Sequence, residues 1–151
     1  SFFDMVSFGS SFNVCDKKNT LNEVNRILKP NSWFCCLWNH RNLDDDIQSK
    51  IEEIIKNNIE NYNYGSRREN QSTIIEKSNL FKNITYLEGD TTHLLPIEKF
   101  IEAWNSHATI QRQSRENFSK ITEQIKKFLL NLQKKTIKVP YKTVAWIAQK
   151  K

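Results

Sequence analysis

The small residues within the stretch Phe3 to Asp16 have the types and the place to form a turn that holds a ligand. They follow the apolar stretch that starts at Phe3-Asp4-Met5-Val6 and lead through Val14-Cys15-Asp16 towards a helical pattern. A buried strand, a turn of small residues and the start of a helix is the order in which α/β domains build their binding turns, at the carboxyl ends of strands. The ordinary alternative is a strand-to-helix connection in which Ser11 or Asn13 caps the helix. Asp16 reads as a turn or cap residue rather than a base.

Other chemistry-bearing residues are scattered. His40 follows a strongly apolar run, at a strand end where ligands sit in open α/β sheets; a solvated loop histidine is the competing reading. Trp104, Ser106 and His107 together suit the wall of a small-molecule pocket, although an indole at that spacing also serves as core packing. Tyr64 lies in a polar stretch with Arg67 and Arg68, which suit an anionic ligand or simply water. His93 reads as a surface residue. Cys15, Cys35 and Cys36 are an odd number of cysteines, and no Cys or His pair has zinc-ligand spacing. Reduced thiols in the cytoplasm, and no metal, are the expectation.

The elements that must position these residues follow from periodicity. The Thr20-Leu21-Asn22-Glu23 pattern predicts a capping box, with Leu21, Val24, Ile27 and Leu28 on one face of the helix it opens. Lys29-Pro30 ends that helix and Asn31-Ser32 makes the turn. Trp33 to Trp38 is apolar on both faces, as a central parallel strand must be. Strand, helix and strand in this span make a right-handed βαβ unit. Leu43, Ile47, Ile51, Ile54 and Ile55 mark a helix with Asp44, Asp45 and Asp46 in its first turn, where the helix dipole favours carboxylates. Residues 57–79 read as polar and irregular, 81–88 as a strand, and 97–104 and 118–132 as two helical stripes. Residues 136–148 close the chain as a strand, and Pro140 predicts that it lies at or near a sheet edge.

Composition bounds the rest. The 151 residues are enough for one domain with a core, and 38% hydrophobic with 26% charged residues excludes a disordered chain. No apolar run is long enough to cross a bilayer, and no signal-peptide pattern opens the chain. Ser1 is not expected to be the natural start, since Met5 is the only methionine. The net charge of +6 spreads over helix faces and the C-terminal tail without interleaved aromatics, which disfavours nucleic acid as a partner.

Asp4-Met5-Val6, Ser11-Phe12-Asn13, Asp16, Leu21, Glu23-Val24, Arg26-Ile27-Leu28-Lys29-Pro30 and Leu37-Trp38-Asn39 resemble class I S-adenosylmethionine-dependent methyltransferases, in particular the small-molecule group that includes ubiquinone-type and trans-aconitate enzymes. The strand around Val139-Pro140-Tyr141-Lys142-Thr143 is similar to that family's last strand. The resemblance implies an α/β fold: the C-terminal half of a Rossmann-like seven-stranded sheet, strands four to seven, with the last strand antiparallel. All 151 residues then form the C-terminal part of one methyltransferase domain, with a variable segment at about 57–110.

The same resemblance implies S-adenosylmethionine as cofactor, lying over Phe8, Gly9, Ser10, Ser11, Phe12 and Asn13, with Gly9 letting it approach the backbone. It implies a small-molecule methyl acceptor, with His40, Tyr64, Trp104 and His107 as substrate-side residues and no catalytic residue identified. The family's first Gly-x-Gly turn is absent, because Gly9, Gly65 and Gly89 are the only glycines. So is the acidic residue that holds the ribose. Both are expected from a missing N-terminal half of the same domain, and the isolated chain is expected to be inactive. A different class of reading is a non-catalytic interaction module that pairs its exposed strand with a second copy.

Overall fold

A computed structural model describes residues 1–151 and carries ten regular elements. They are β1 (Phe3–Gly9), α1 (Lys17–Ile27), β2 (Leu28–Arg41), α2 (Asp46–Asn58), α3 (Ser72–Ser78), β3 (Phe81–Pro96), α4 (Ile97–Asn105), α5 (Ala108–Ser114), α6 (Phe118–Asn131) and β4 (Thr136–Lys150). The strands form one sheet in the order β1-β2-β4-β3. Strands β1 and β2 are parallel, Met5 opposite Trp33 through Gly9 opposite Leu37, with α1 as the crossover between them. Strand β4 runs the other way. Its Gln149 bonds Asn83 and its Lys142 meets Glu88 on β3, while Gln149 and Thr143 reach Asn31 and Asn39 on β2. An α/β sheet with its last strand antiparallel is therefore present, as the sequence implied.

The register between β1 and β2 slips between Phe3 and Met5. The slip absorbs Lys29-Pro30-Asn31-Ser32, where Asn31 takes a left-handed φ of 60°. The expected turn is thus an irregularity inside β2. Phe34, Cys35, Cys36 and Trp38 are all buried, so this strand is covered on both faces. Burial pushes the Cys36 thiol up to about 12 and the Cys35 thiol upward as well, and all three cysteines are free.

Four sequence expectations need correction or narrowing. Helix α1 starts before the capping box: the Asp16 carboxylate accepts the Asn19 N–H at 2.8 Å and is the N-cap, while Glu23 pairs with Arg26 at 2.6 Å. An aspartate four residues upstream competes successfully, since it caps as well as threonine or better. Replacing Asp16 with alanine is expected to cost about 1 kcal/mol in urea denaturation, and Thr20→Ala close to nothing.

Second, residues 57–79 are not irregular throughout. They hold α3, which buries Ile75 and ends on Asn79 in a left-handed φ of 57°. Seven residues are two turns, too few to show a period. Third, β3 runs on to Pro96; it is an edge strand, and its second half is largely exposed and shows no alternation.

Fourth, β4 is not the edge strand itself but an inner strand beside the edge strand β3, so Pro140 lies near the sheet edge and not at it. The Pro140 carbonyl accepts the Asn42 N–H at 3.0 Å, and Asn42 lies just past the end of β2. The missing proline N–H falls where that neighbour runs out, so little of the ladder is lost.

Backbone contacts divide the chain into two compact units: residues 1–40, 65–90 and 142–151, and residues 41–64 and 91–141. The first has a core of Phe12, Leu21, Val24, Phe34, Trp38, Ile75, Phe81 and Trp146. The second packs Ile51 and Ile55 of α2, Phe100 and Trp104 of α4, and Ile121, Ile125 and Leu129 of α6 against Ile137 and Val139. No helix is long and apolar enough to cross a membrane.

Candidate functional site

In the first unit, β1 delivers the chain to Gly9, and the Ser10 N–H extends the parallel ladder by donating to the Leu37 carbonyl at 2.8 Å. Ser10 then turns the backbone with a φ of 54°, and one turn of 3-10 helix, Phe12–Val14, follows. Two side chains pin this turn from below. Phe12 is fully buried, its ring 5.5 Å from Phe8 and 5.4 Å from Phe34. Asn13 accepts the Trp38 indole N–H at 2.9 Å.

Phe8, Phe12 and Asn13 are therefore anchors, and what they hold up is the backbone of Gly9, Ser10 and Ser11. Gly9 and Ser10 are exposed, and a Cβ added to Gly9 would meet nothing within 4 Å. Glycine is not required there by packing or by a positive φ; it leaves bare backbone and open space at a strand's carboxyl end. Those are the features a ligand lying across the turn needs.

The same unit holds a cavity of about 360 Å³ lined by His40, Arg68, Asn70, Ser72, Tyr86 and Trp146, among others. Trp146 lies edge-on to Trp38, 5.8 Å between ring centroids. One indole pair thus joins the Asn13 turn to the cavity wall. Burial, then the charges of Arg68 and Arg67, hold the His40 pKa down to about 4 from an ordinary 6.5, against a hydrogen bond to the Arg67 backbone. His40 is neutral at pH 7 and a weak base. Between pH 6.5 and 4 the unfolded chain binds more protons at this residue than the folded one, so the His40 contribution to stability falls as pH drops through that window. The urea midpoint of the wild type is expected to decline more steeply there than that of His40→Asn; parallel profiles would refute the assignment.

In the second unit, Tyr64, Trp104 and His107 gather around Arg41. The His107 ring stacks on Trp104 at 5.2 Å with 8° between planes, and the Arg41 guanidinium lies 4.5 Å from the Trp104 ring. Arg41 also reaches Glu52 and Gln48, each at 3.3 Å. His107 accepts the Ile110 N–H through Nδ1 at 3.4 Å, capping α5, so that nitrogen is already engaged. Burial and the neighbouring Glu52 push the Tyr64 hydroxyl far upward, which keeps it protonated. Trp104 is core, with its indole N–H buried and unpartnered.

Of the four substrate-side residues read from sequence, Tyr64, Trp104 and His107 fall in this unit and His40 in the first. Of these, buried His40 is a weak base and the Tyr64 hydroxyl stays protonated. Asn70, Tyr86 and Trp146 were not singled out in the sequence. Trp146 and Val144 share a face of β4 by their spacing of two, but only the strand pairing shows that this face meets a cavity. No group of three or more His, Cys, Asp or Glu side chains is arranged to hold a metal ion.

No protein-family profile matches the chain, and no curated protein matches it in sequence. Among solved structures, a candidate type II methyltransferase from Anaeromyxobacter dehalogenans superposes over 98% of this chain with a TM-score of 0.60 at 9% identity. The chain has the fold of the C-terminal half of a methyltransferase. It spans 65% of the length of that structure, and the four-stranded sheet with its antiparallel last strand matches the C-terminal half of such folds. A candidate methyltransferase from Bacillus halodurans covers 97% of the chain and 69% of its own length, at 12% identity and a TM-score of 0.45. Phosphoethanolamine N-methyltransferase 2 of Haemonchus contortus, in complex with phosphomonomethylethanolamine and S-adenosylhomocysteine, covers 99% of the chain and 35% of its own length, at 15% identity and 0.43. Of these three, the first alone superposes with a TM-score above 0.5.

Proposed function

We propose that these residues are the C-terminal part of a methyltransferase that uses S-adenosylmethionine to methylate a small molecule. The observation that carries this reading is the bare Gly9-Ser10-Ser11 backbone, held open by Phe8, Phe12 and Asn13 at the carboxyl end of β1 in a methyltransferase sheet. S-adenosylmethionine, when bound, supplies an electrophilic methyl group on a sulfonium. The chain's own work is then to hold the donor against the turn and to place the acceptor, since alignment is the main catalytic need of such a transfer.

Weakly basic His40 and the protonated Tyr64 hydroxyl fit that division of labour better than general-base catalysis. Residues 1–151 contain no Gly-x-Gly turn, and by themselves they transfer no methyl group under this proposal. Titration of S-adenosylhomocysteine by calorimetry into the natural gene product, expressed from its own start codon, is expected to show micromolar binding. A folded protein that binds none would overturn the reading.

One observation favours a second reading, an interaction module. Strand β1 ends the sheet, and Phe3, Met5 and Trp33 leave an apolar strip exposed beside it, with Met5 opposite Trp33. Sedimentation equilibrium that shows dimers forming with concentration, in a protein that does not bind S-adenosylhomocysteine, would put this reading first.

A further inference from the structure

The cavity beside His40 has a chemical character of its own. At about 360 Å³ it is at the small end of ligand sites. One wall is aromatic: Tyr86 and Trp146 lie 5.1 Å apart, their planes tilted by 51°. The polar groups facing it are mostly donors. Asn70 Oδ1 is occupied twice, by the Trp146 indole N–H at 3.2 Å and the Ser72 N–H at 2.9 Å, which leaves the Asn70 NH2 as the end available to a ligand. Ser72 adds a hydroxyl and Arg68 a permanent positive charge.

No acidic residue lines the cavity. Glu88, further along β3, accepts from the Tyr86 hydroxyl at 2.8 Å and meets Lys142 at 3.4 Å. Burial first, and then the charges of Arg68 and Arg67, keep His40 on the wall unprotonated at neutral pH.

We propose that this cavity binds a small planar aromatic carboxylate, its ring against Tyr86 and Trp146 and its anionic group towards Arg68, Asn70 and Ser72. Recognition needs both halves, since a ring alone wastes the donors and an anion alone leaves the indole wall wet. Through Trp146, Trp38 and Asn13 the bound ring is in packing contact with the residues that hold the Gly9 turn. That the ligand is the methyl acceptor rests on the methyl-transfer reading; that it binds does not.

The test is a titration of the chain with benzoate, benzamide and acetate, following the Trp146 indole resonance by 15N NMR, assigned with Trp146→Phe. Benzoate is expected to shift it saturably, with a Kd of about 1 mM or tighter. Benzamide and acetate should each bind at least about tenfold more weakly, for want of charge or ring. Equal binding of benzamide would overturn the anion preference, equal binding of acetate the aromatic one. No shift with benzoate, in a chain whose Trp38 indole resonance shows it folded, would overturn the site altogether.

Arg68→Gln is expected to weaken benzoate about tenfold and Arg68→Lys less, because lysine keeps the charge and loses the planar fork. An Arg68→Lys affinity no better than that of a folded Arg68→Gln would remove Arg68 from the site. Benzoate binding without S-adenosylhomocysteine binding keeps the site and removes its role as the acceptor subsite. S-adenosylhomocysteine binding without benzoate binding does the reverse.

Discussion

Gly9→Val is expected to leave the protein folded and to weaken S-adenosylhomocysteine binding in the natural gene product by at least about a hundredfold, or 2.8 kcal/mol. The two halves of this expectation have separate causes. A Cβ at position 9 meets nothing within 4 Å, and the residue needs no positive φ, so valine is accommodated by the chain itself. Valine also loses less backbone entropy on folding than glycine, which favours the variant by about 0.5–1 kcal/mol in urea denaturation. The space that receives the two methyl groups is the open side of the Gly9-Ser10-Ser11 turn, where the cofactor is proposed to lie. Calorimetry and denaturation on the same preparation check both halves. Unchanged binding in a folded Gly9→Val would remove this turn from the cofactor site, and a collapse in stability would show that the glycine is structural.

Phe34→Ala is expected to destabilise the protein by about 3–5 kcal/mol, the usual range for a fully buried aromatic. Phe34 is the hub of the ring cluster in the first unit: Phe8, Phe12 and Phe81 lie 5.9, 5.4 and 5.5 Å away. Its removal opens a cavity directly under the turn, because Phe12 and Phe8 pin that turn through their contact with it. For a chain of this size the thermal midpoint should fall by about 10 °C. Weaker S-adenosylhomocysteine binding should accompany it in any fraction that stays folded. Thermal denaturation followed by circular dichroism measures the first effect, and a shift of only 1–2 °C would mean that the cluster does not carry the core. Trp38→Phe makes a milder contrast: it keeps an aromatic ring beside Trp146 but removes the indole N–H that Asn13 accepts, together with part of the buried ring volume.

Much of this architecture is legible in residue order. The apolar run from Trp33 to Trp38 demands cover on both faces, and β2 has it. The stripe from Phe118 to Leu129 can only be an amphipathic helix, and Ile121, Ile125 and Leu129 are its buried side. These signals survive because a residue's hydrophobicity and its spacing from the next are local properties, and one buried face repeats them several times. The turn at Gly9 is local in the same sense, since strand end, glycine and serines are contiguous.

What the tertiary structure decided is whatever depends on a partner distant in sequence. Pro140 says that one N–H is missing; only the end of β2 opposite it says why an inner strand tolerates the loss. Asp16 and Thr20 are both capping residues by type, and the choice between them was made by where the chain leaves the turn. Phe12 looks like a ligand-side residue until Phe8 and Phe34 close around it. The cavity is the extreme case, drawing His40, Arg68, Asn70, Tyr86 and Trp146 from four separate stretches of chain. The sequence determined the longer helices, the core strands and the turn between β1 and α1, because these are fixed by neighbours along the chain. The short helices α3 and α5 and the second half of β3 were not legible in it. The order of the strands, and with it the aromatic, cationic cavity beside that turn, was decided only when pairing brought distant residues together.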